Sequence, residues 1–401
     1  MQKLFPRLVA IFPLIFPLYL LKGNFFGIPV TLPELMCGFL FLLFLLYHED
    51  FHFRHWKLWP VFLFLAAAVV GALIVPEVTR MMDGTSFPAQ EKALGILKGW
   101  IFVPLLYFVM ARSTFRDKPS MITLALRSMM VGGVVLAMMA LWQVCTGSFI
   151  TADGRASGPF ESANYLALYL GPIVVYAVMA FWRALTSQGW RERIFLGVCA
   201  AVCAAALYFT FSYAAFLAVL GSLGLGLILF LRRRGKGALL AAVFAVCVVG
   251  AGIVAAQAGT AKFEQALSAG ERSSTSVRIQ VYEIAGYLIS EHSILGIGLG
   301  QFEQKYQEVA ETALGVLPYE LNMLHPHNIF LAIWLSLGLA GLVAFIWLCY
   351  KGLLWLLEND QHERNFVALM LVCILIHGLF DTPYFKNDLA FQFWLIIAML
   401  I

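Results

Sequence analysis

The chain has 401 residues, 61% of them apolar and 12% charged, with a formal net charge of +4. So few charges cannot coat the water-exposed surface of a soluble protein this size, which leaves a lipid-embedded chain. The Lys and Arg residues are dispersed among short loops and form no exposed stripe, which speaks against a nucleic-acid partner.

Apolar runs of about 17–25 residues, each enough to cross the hydrocarbon core as a helix, recur along the whole chain. They predict helices over 8–21, 30–47, 58–75, 93–110, 122–144, 164–181, 194–209, 212–231, 238–256, 328–348, 366–380 and 389–401. Lys3 and Arg7 before the first run imitate a signal peptide, but Pro13 and Pro17 interrupt it and no small-residue cleavage site follows, so a retained helix is expected. With the N-terminus inside, sixteen basic residues fall on inner loops: Lys3, Arg7, Arg54, Lys57, Arg112, Arg116, Lys118, Arg183, Arg191, Arg193, Arg232 to Arg234, Lys236, Lys351 and Arg364. Nine lie outside, over a longer total loop length, which favours this orientation. The expected fold is an all-α integral membrane protein of about twelve spans. Residues 1–256 carry helices one to nine, 257–326 form a large, partly helical extracytoplasmic loop, and 327–401 carry helices ten to twelve.

Within that loop, Ser273, Ser274, Thr275 and Ser276 can cap a helix whose Val277, Val281, Ile284 and Leu288 form an apolar stripe suited to the membrane surface. Gly296, Gly298 and Gly300 lack the Lys-Ser/Thr ending of a phosphate-cradling loop and read as a tight turn; a second polar helix follows over 301–314.

Four places could carry chemistry. His325-Pro326-His327-Asn328 sets two imidazoles and an amide at the outer mouth of the tenth helix; imidazole, with a reference pKa of about 6.5, can accept a proton, while the plain alternative is a capped interfacial helix end, Asn328 being the better cap. Arg278, in the first turn of the outer-loop helix, stands where free backbone N–H groups favour an anion such as a diphosphate; an ordinary solvated arginine is the alternative. Arg155 is a second outer cation, ahead of Asn164, or a turn-pinning residue. Residues 381–388 gather Asp381, Lys386 and Asp388 with two aromatics: the carboxylates could orient a histidine and Lys386 could meet a phosphate, or the loop could hold a surface ion pair. Glu34, Lys98 and Arg127 lie within apolar runs without a regular relay, and bundle packing or snorkelling is expected. The seven cysteines lack metal-ligand spacing and read as packing residues.

At these residues the chain resembles the O-antigen ligase and polymerase superfamily of polytopic glycan-transfer enzymes. The resemblance rests on Gly158-Pro159-Phe160 with Asn164-Tyr165-Leu166-Ala167, Arg278 with the later Gly296 and Gly298, His327-Asn328 with Leu331, and the ending His377 to Asp381 with Pro383 to Asp388. It implies transfer of a sugar chain from undecaprenyl diphosphate to an acceptor hydroxyl at the periplasmic face of a bacterial inner membrane, with inversion and with no cofactor, metal or nucleotide sugar. His327 would deprotonate or align the acceptor, while Arg278, with Arg155 and Lys386, would hold the diphosphate; Asn164, His325, Asn328 and Asp381 would complete the substrate site. One departure stands out: in Thr210-Phe211-Ser212-Tyr213, Tyr213 occupies the place of the family's usual arginine, so another cation substitutes, the donor differs, or activity is changed or lost.

A ligase to a lipid or protein acceptor is the first expectation and a polymerase adding repeat units the runner-up. A solute transporter and a non-catalytic scaffold are the readings from other classes. Matched halves with interrupted helices, the usual pointer to a transporter, are not seen in the sequence.

Overall fold

The computed structural model describes residues 4–25, 28–47, 58–80, 86–151, 153–187, 189–231, 236–259, 273–357 and 362–401. Lys3, Arg54, Lys57, Arg232 to Arg234, Lys262 and Arg272 of the charge count above lie outside the described residues.

The first expected helix divides. Pro13 and Pro17 withhold backbone donors, so α1 (Phe5–Ile11) passes into a 3-10 segment, Phe12–Leu20. Strand β1 (Lys22–Phe25) pairs antiparallel with β2 (Ile28–Thr31), which runs into α2 (Leu32–Tyr47). After α3 (Trp59–Leu73) comes a two-residue pairing of β3 (Thr79–Arg80) with β4 (Ser86–Phe87). Next are α4 (Ala89–Asp117, with a π-turn at Leu97–Phe102), α5 (Ser120–Thr146), α6 (Ala163–Ser187), α7 (Trp190–Tyr208), α8 (Tyr213–Leu231) and α9 (Lys236–Gln257). Two shorter helices follow, α10 (Ser274–Glu291) and α11 (Phe302–Leu314), and then α12 (Ile329–Leu353), α13 (His362–His377) and α14 (Asn387–Leu400).

Among the described residues, five of these helices are long and apolar enough to cross a bilayer, and the remaining expected spans correspond to shorter or more charged helices. The protein is a multi-pass α-helical membrane protein. Its layering is inverted relative to a soluble bundle: Phe39, Leu42 and Leu46 of α2 and Leu240 and Phe244 of α9 are exposed, as lipid-facing residues are. By contrast, α14 is buried at every residue from Asp388 to Leu400, so it is the central post. Around it Phe391 stacks on Phe16 at 5.2 Å and Phe393 on Phe345 at 5.4 Å.

The intramembrane charges are paired. Lys98 meets Glu34 at 3.3 Å and donates to the Pro29 carbonyl, while Asn387 donates to Glu34 at 3.2 Å. Arg127 meets Glu192 at 2.8 Å. Of the cysteines, Cys37, Cys199, Cys203, Cys349 and Cys373 are buried, whereas Cys145 and Cys247 are exposed.

Residues 273–326 are built into the bundle. Ser273 caps α10 in a reciprocal box with Ser276. The stripe of α10 does not lie on the membrane surface as expected: Val281, Ile284 and Leu288 bury against Tyr306 and Ala310 of α11 and Leu335 of α12. Halfway along, α12 breaks at Gly338 (φ 68°), and the 292–299 turn inserts there: Ile297 N–H donates to the freed Leu335 carbonyl at 2.7 Å, and Leu339 N–H to Ile294 O at 3.0 Å. Both sides of this joint need glycine, since a Cβ on Gly296 would lie 2.3 Å from Leu335 O and one on Gly338 2.3 Å from Ile294 O.

Candidate functional site

Five helix ends meet at one end of the bundle: the starts of α6, α8, α12 and α14 and the finish of α13. Asn328 is the N-cap of α12, its Oδ1 accepting from Phe330 and Leu331 N–H at 2.9 and 3.2 Å. Its Nδ2 donates to Leu379 O at 3.2 Å, and Ile329 N–H donates to Gly378 O at 2.7 Å, so the α12 start is laced to the turn after α13. This lacing forces His327 into left-handed backbone (φ 46°), a conformation few side chains other than Asn, Asp and His adopt. The Tyr282 hydroxyl of α10 holds it there, sharing its proton between the carbonyls of His327 (3.0 Å) and Leu379 (2.9 Å).

So held, the His327 imidazole faces Asp381, Nδ1 to Oδ1 3.4 Å. Asp381 is buried and also accepts from Thr382 N–H at 2.9 Å. Burial alone would raise its pKa, but the close His327 imidazole, with those of His325 and His377, outweighs it and holds Asp381 well below the usual carboxylate range. The His325 ring stands edge-on to His327, centroids 4.5 Å apart. Burial, then the neighbouring His327, push His325 down to about 4, so it is neutral at pH 7. Ring nitrogens of both histidines and an Asp381 oxygen lie within 4.8 Å of one another, a donor set of the kind a divalent cation can share.

Arg278 sits one helical turn before Tyr282, hence on the same face of α10. Its charge bears on Tyr282 and Arg155, and its Nε is buried without a hydrogen-bond partner. Arg155 is buried, donating from Nε to Thr210 O at 2.6 Å and from NH2 to Asn164 Oδ1 at 2.7 Å, with Asp153 at 3.3 Å from NH1. Burial lowers the pKa of this guanidinium and Asp153 works against that; Arg278 and Asp381 are both close enough to act on it. Arg155 thereby brings a cation to the Thr210 carbonyl, three residues before Tyr213.

Lys386 stands apart from this group. Its ammonium lies over the rings of Tyr165, Phe160 and Tyr19 at 3.5, 4.5 and 5.0 Å, and no hydrogen bond reaches its buried Nζ. Burial pushes it down to about 8, against the pull of Asp388 and Glu161. The structure thus gathers His325, His327, Asp381, Arg278, Arg155 and Asn164 around one end of the bundle, commits Asn328 to capping, and surrounds Lys386 with aromatics.

Residues 198–346, from α7 into α12, match the family model described as O-antigen ligase. Over that span, a little over a third of the chain, the sequence is similar to the O-antigen ligase family. A Rickettsia conorii protein provisionally named a polysaccharide ligase is 29% identical over 125 residues, 30% of this chain and 28% of that one. The chain therefore spans under a third of the length of the curated relative it matches. The O-antigen ligase span contains Arg278, His325, His327 and Asn328, while Arg155, Asn164, Asp381 and Lys386 fall outside it and join through the fold.

Sequence reasoning overlooked Tyr282 and Asp153. Tyr282 could have been found as the residue four after Arg278, on the same helical face. Asp153 lies two residues before Arg155, and Thr151 Oγ1 accepts from Arg155 N–H at 3.2 Å, a turn in which a short acidic side chain is at home.

Proposed function

We propose that this O-antigen ligase relative is a glycan transferase that moves a sugar chain from a polyprenyl diphosphate carrier, of the undecaprenyl type, to an acceptor hydroxyl at the extracytoplasmic membrane face. The observation that carries the reading is the His327–Asp381 pair on the Arg278 face of α10, joined to it through the Tyr282 hydroxyl. Asp381 orients the imidazole through Nδ1, leaving Nε2 to take the acceptor proton as its oxygen attacks the anomeric carbon. The carbon–oxygen bond to the diphosphate breaks on the opposite side, which inverts the centre. Arg278 takes the departing charge in a partly buried setting where a guanidinium is more effective than in water. Arg155 is the cation that stands in for the missing arginine at Tyr213. His325, kept neutral by its surroundings, places no second cation beside His327. The reaction is proposed to run without metal, and the lipid tail reaches the site from the bilayer.

The provisional name of the Rickettsia relative favours a ligase over a polymerase. Reconstitution in proteoliposomes with a defined polyprenyl-diphosphate-linked oligosaccharide and a lipid acceptor tests both. Transfer to the lipid supports the ligase, and donor-to-donor extension the polymerase. Solute uptake that survives His327→Ala and Arg278→Ala, without any glycan transfer, would replace the enzyme by a transporter. A cytoplasmic location of position 327 by cysteine labelling would end the extracytoplasmic mechanism.

A further inference from the structure

At the other end of the bundle two cavities share a wall. Asn164 and Arg183 are separated by nineteen residues of α6, roughly 29 Å of helix, so the far cavities are independent of the site above. One, about 820 Å³, lies between α6, α8, α9 and the start of α13 and is almost wholly apolar, lined by Met179, Leu220, Leu223, Leu227, Phe230 and Val249 among others. The other, about 230 Å³, lies between α5, α6, α7 and α13 and is polar. Arg183 and Phe366 border both.

The charges of the polar cavity decide what fits. Arg127 is consumed by Glu192 at 2.8 Å. Glu363 accepts from Thr123 Oγ1 at 2.8 Å and Tyr176 hydroxyl at 3.4 Å, both on Oε1, so Oε2 has no partner among the described residues. The Arg183 guanidinium likewise has no hydrogen bond or ion pair there. One cation without a side-chain partner and one carboxylate with a spare oxygen therefore border the polar cavity, which shares Arg183 and Phe366 with the apolar chamber. Trp190 under Arg191 (5.5 Å) and Trp355 under Arg364 (4.3 Å), with exposed Trp182, ring this end of the molecule, as aromatic and basic residues do at headgroup level.

From these we infer that the paired cavities form a binding site for a zwitterionic ethanolamine phospholipid: phosphate on Arg183, primary ammonium on Glu363, and an acyl chain in the apolar chamber. A primary ammonium gives the spare Glu363 oxygen a charge-assisted N–H donor, which a choline headgroup lacks and a glycerol headgroup replaces with weaker, neutral hydroxyl donors. The apolar volume falls within the roughly 300–1,000 Å³ usual for small-molecule sites.

The test is native mass spectrometry of the full chain released from nanodiscs containing equal parts of ethanolamine, choline and glycerol phospholipids with identical acyl chains. The wild type is expected to retain the ethanolamine lipid about tenfold over the other two, the equivalent of one charge-assisted hydrogen bond. Glu363→Gln should erase that preference while keeping total lipid, Arg183→Gln should lower all three, and Leu223→Trp should empty the chamber. His327→Ala, at the opposite end, should leave retention unchanged, which separates this site from glycan transfer. Equal retention of the three lipids by wild type, or a preference unaltered by Glu363→Gln, overturns the assignment; both readouts stand even if Leu223→Trp fails to fold.

Discussion

Nδ1 of His327 lies 3.4 Å from Oδ1 of Asp381, and the backbone of that histidine is held in left-handed conformation by the Tyr282 hydroxyl. Carboxylate, imidazole and clamp make a unit that turns Nδ1 of the imidazole toward Asp381. His327→Ala should lower the transfer rate by roughly 10²–10⁴-fold, the range for loss of a general base. Asp381→Asn should give a smaller fall with donor KM little changed, and steady-state kinetics on proteoliposomes separates the two. An Asp381→Asn variant with wild-type kcat would remove the orienting role.

Arg278 is assigned to the leaving diphosphate, so Arg278→Gln should reduce kcat/KM by about 10–100-fold, the cost of one hydrogen bond to a charged group. Arg278→Lys should recover part of the loss, since the charge returns without the planar fork. A phosphate-analogue competition assay should show weakened inhibition in both variants.

The three-donor cluster of His325, His327 and Asp381 makes chelation informative. With the reaction running on the imidazole alone, EDTA treatment followed by dialysis should leave transfer unchanged. A loss restored by one divalent cation and by no other would reassign the cluster as a metal centre.

His325 sets a pH window. Its folded pKa, about 4, lies below the unfolded value of about 6.5, so between those values the unfolded chain binds the extra proton. Stability is therefore present above pH 6.5 and declines as pH falls toward 4, by on the order of 1 kcal/mol per pH unit. The melting temperature in detergent should drop over that interval, and His325→Gln should flatten the drop. Asp381, with a depressed pKa, contributes in the same sense at still lower pH.

Gly296→Ala or Gly338→Ala would place a methyl group against a backbone carbonyl at 2.3 Å, in a positive-φ position in each case. Each should cost several kcal/mol, about the upper range for single substitutions. Limited proteolysis should then cut within 273–326 faster than in the wild type.

Much of this was legible beforehand because lipid imposes simple rules. Long apolar runs had to be helices, and the caps at Ser273 and Asn328 are written in the residues themselves. The proline-rich first run was less tractable, since a 3-10 segment has the same composition as the α-helix it replaces. The strand pairings of 22–25 with 28–31 and of 79–80 with 86–87 were hidden by brevity. At the site, single residues announced their chemistry but not their partners: that Glu34 finds Lys98, or Arg155 finds Asn164 and Thr210, depends on helix packing that no local pattern encodes. Lys386 shows the same limit, for a basic residue near a carboxylate reads as an ion pair until three aromatic rings are found around it.

The turn that plugs the break in α12 has a consequence for anyone recombining such proteins. Exchanging 257–326 as a cassette between relatives would leave the recipient's Leu335 carbonyl and Leu339 amide orphaned at membrane depth, where no solvent can rescue them. The smallest graft that carries its own satisfaction runs from α10 past Gly338.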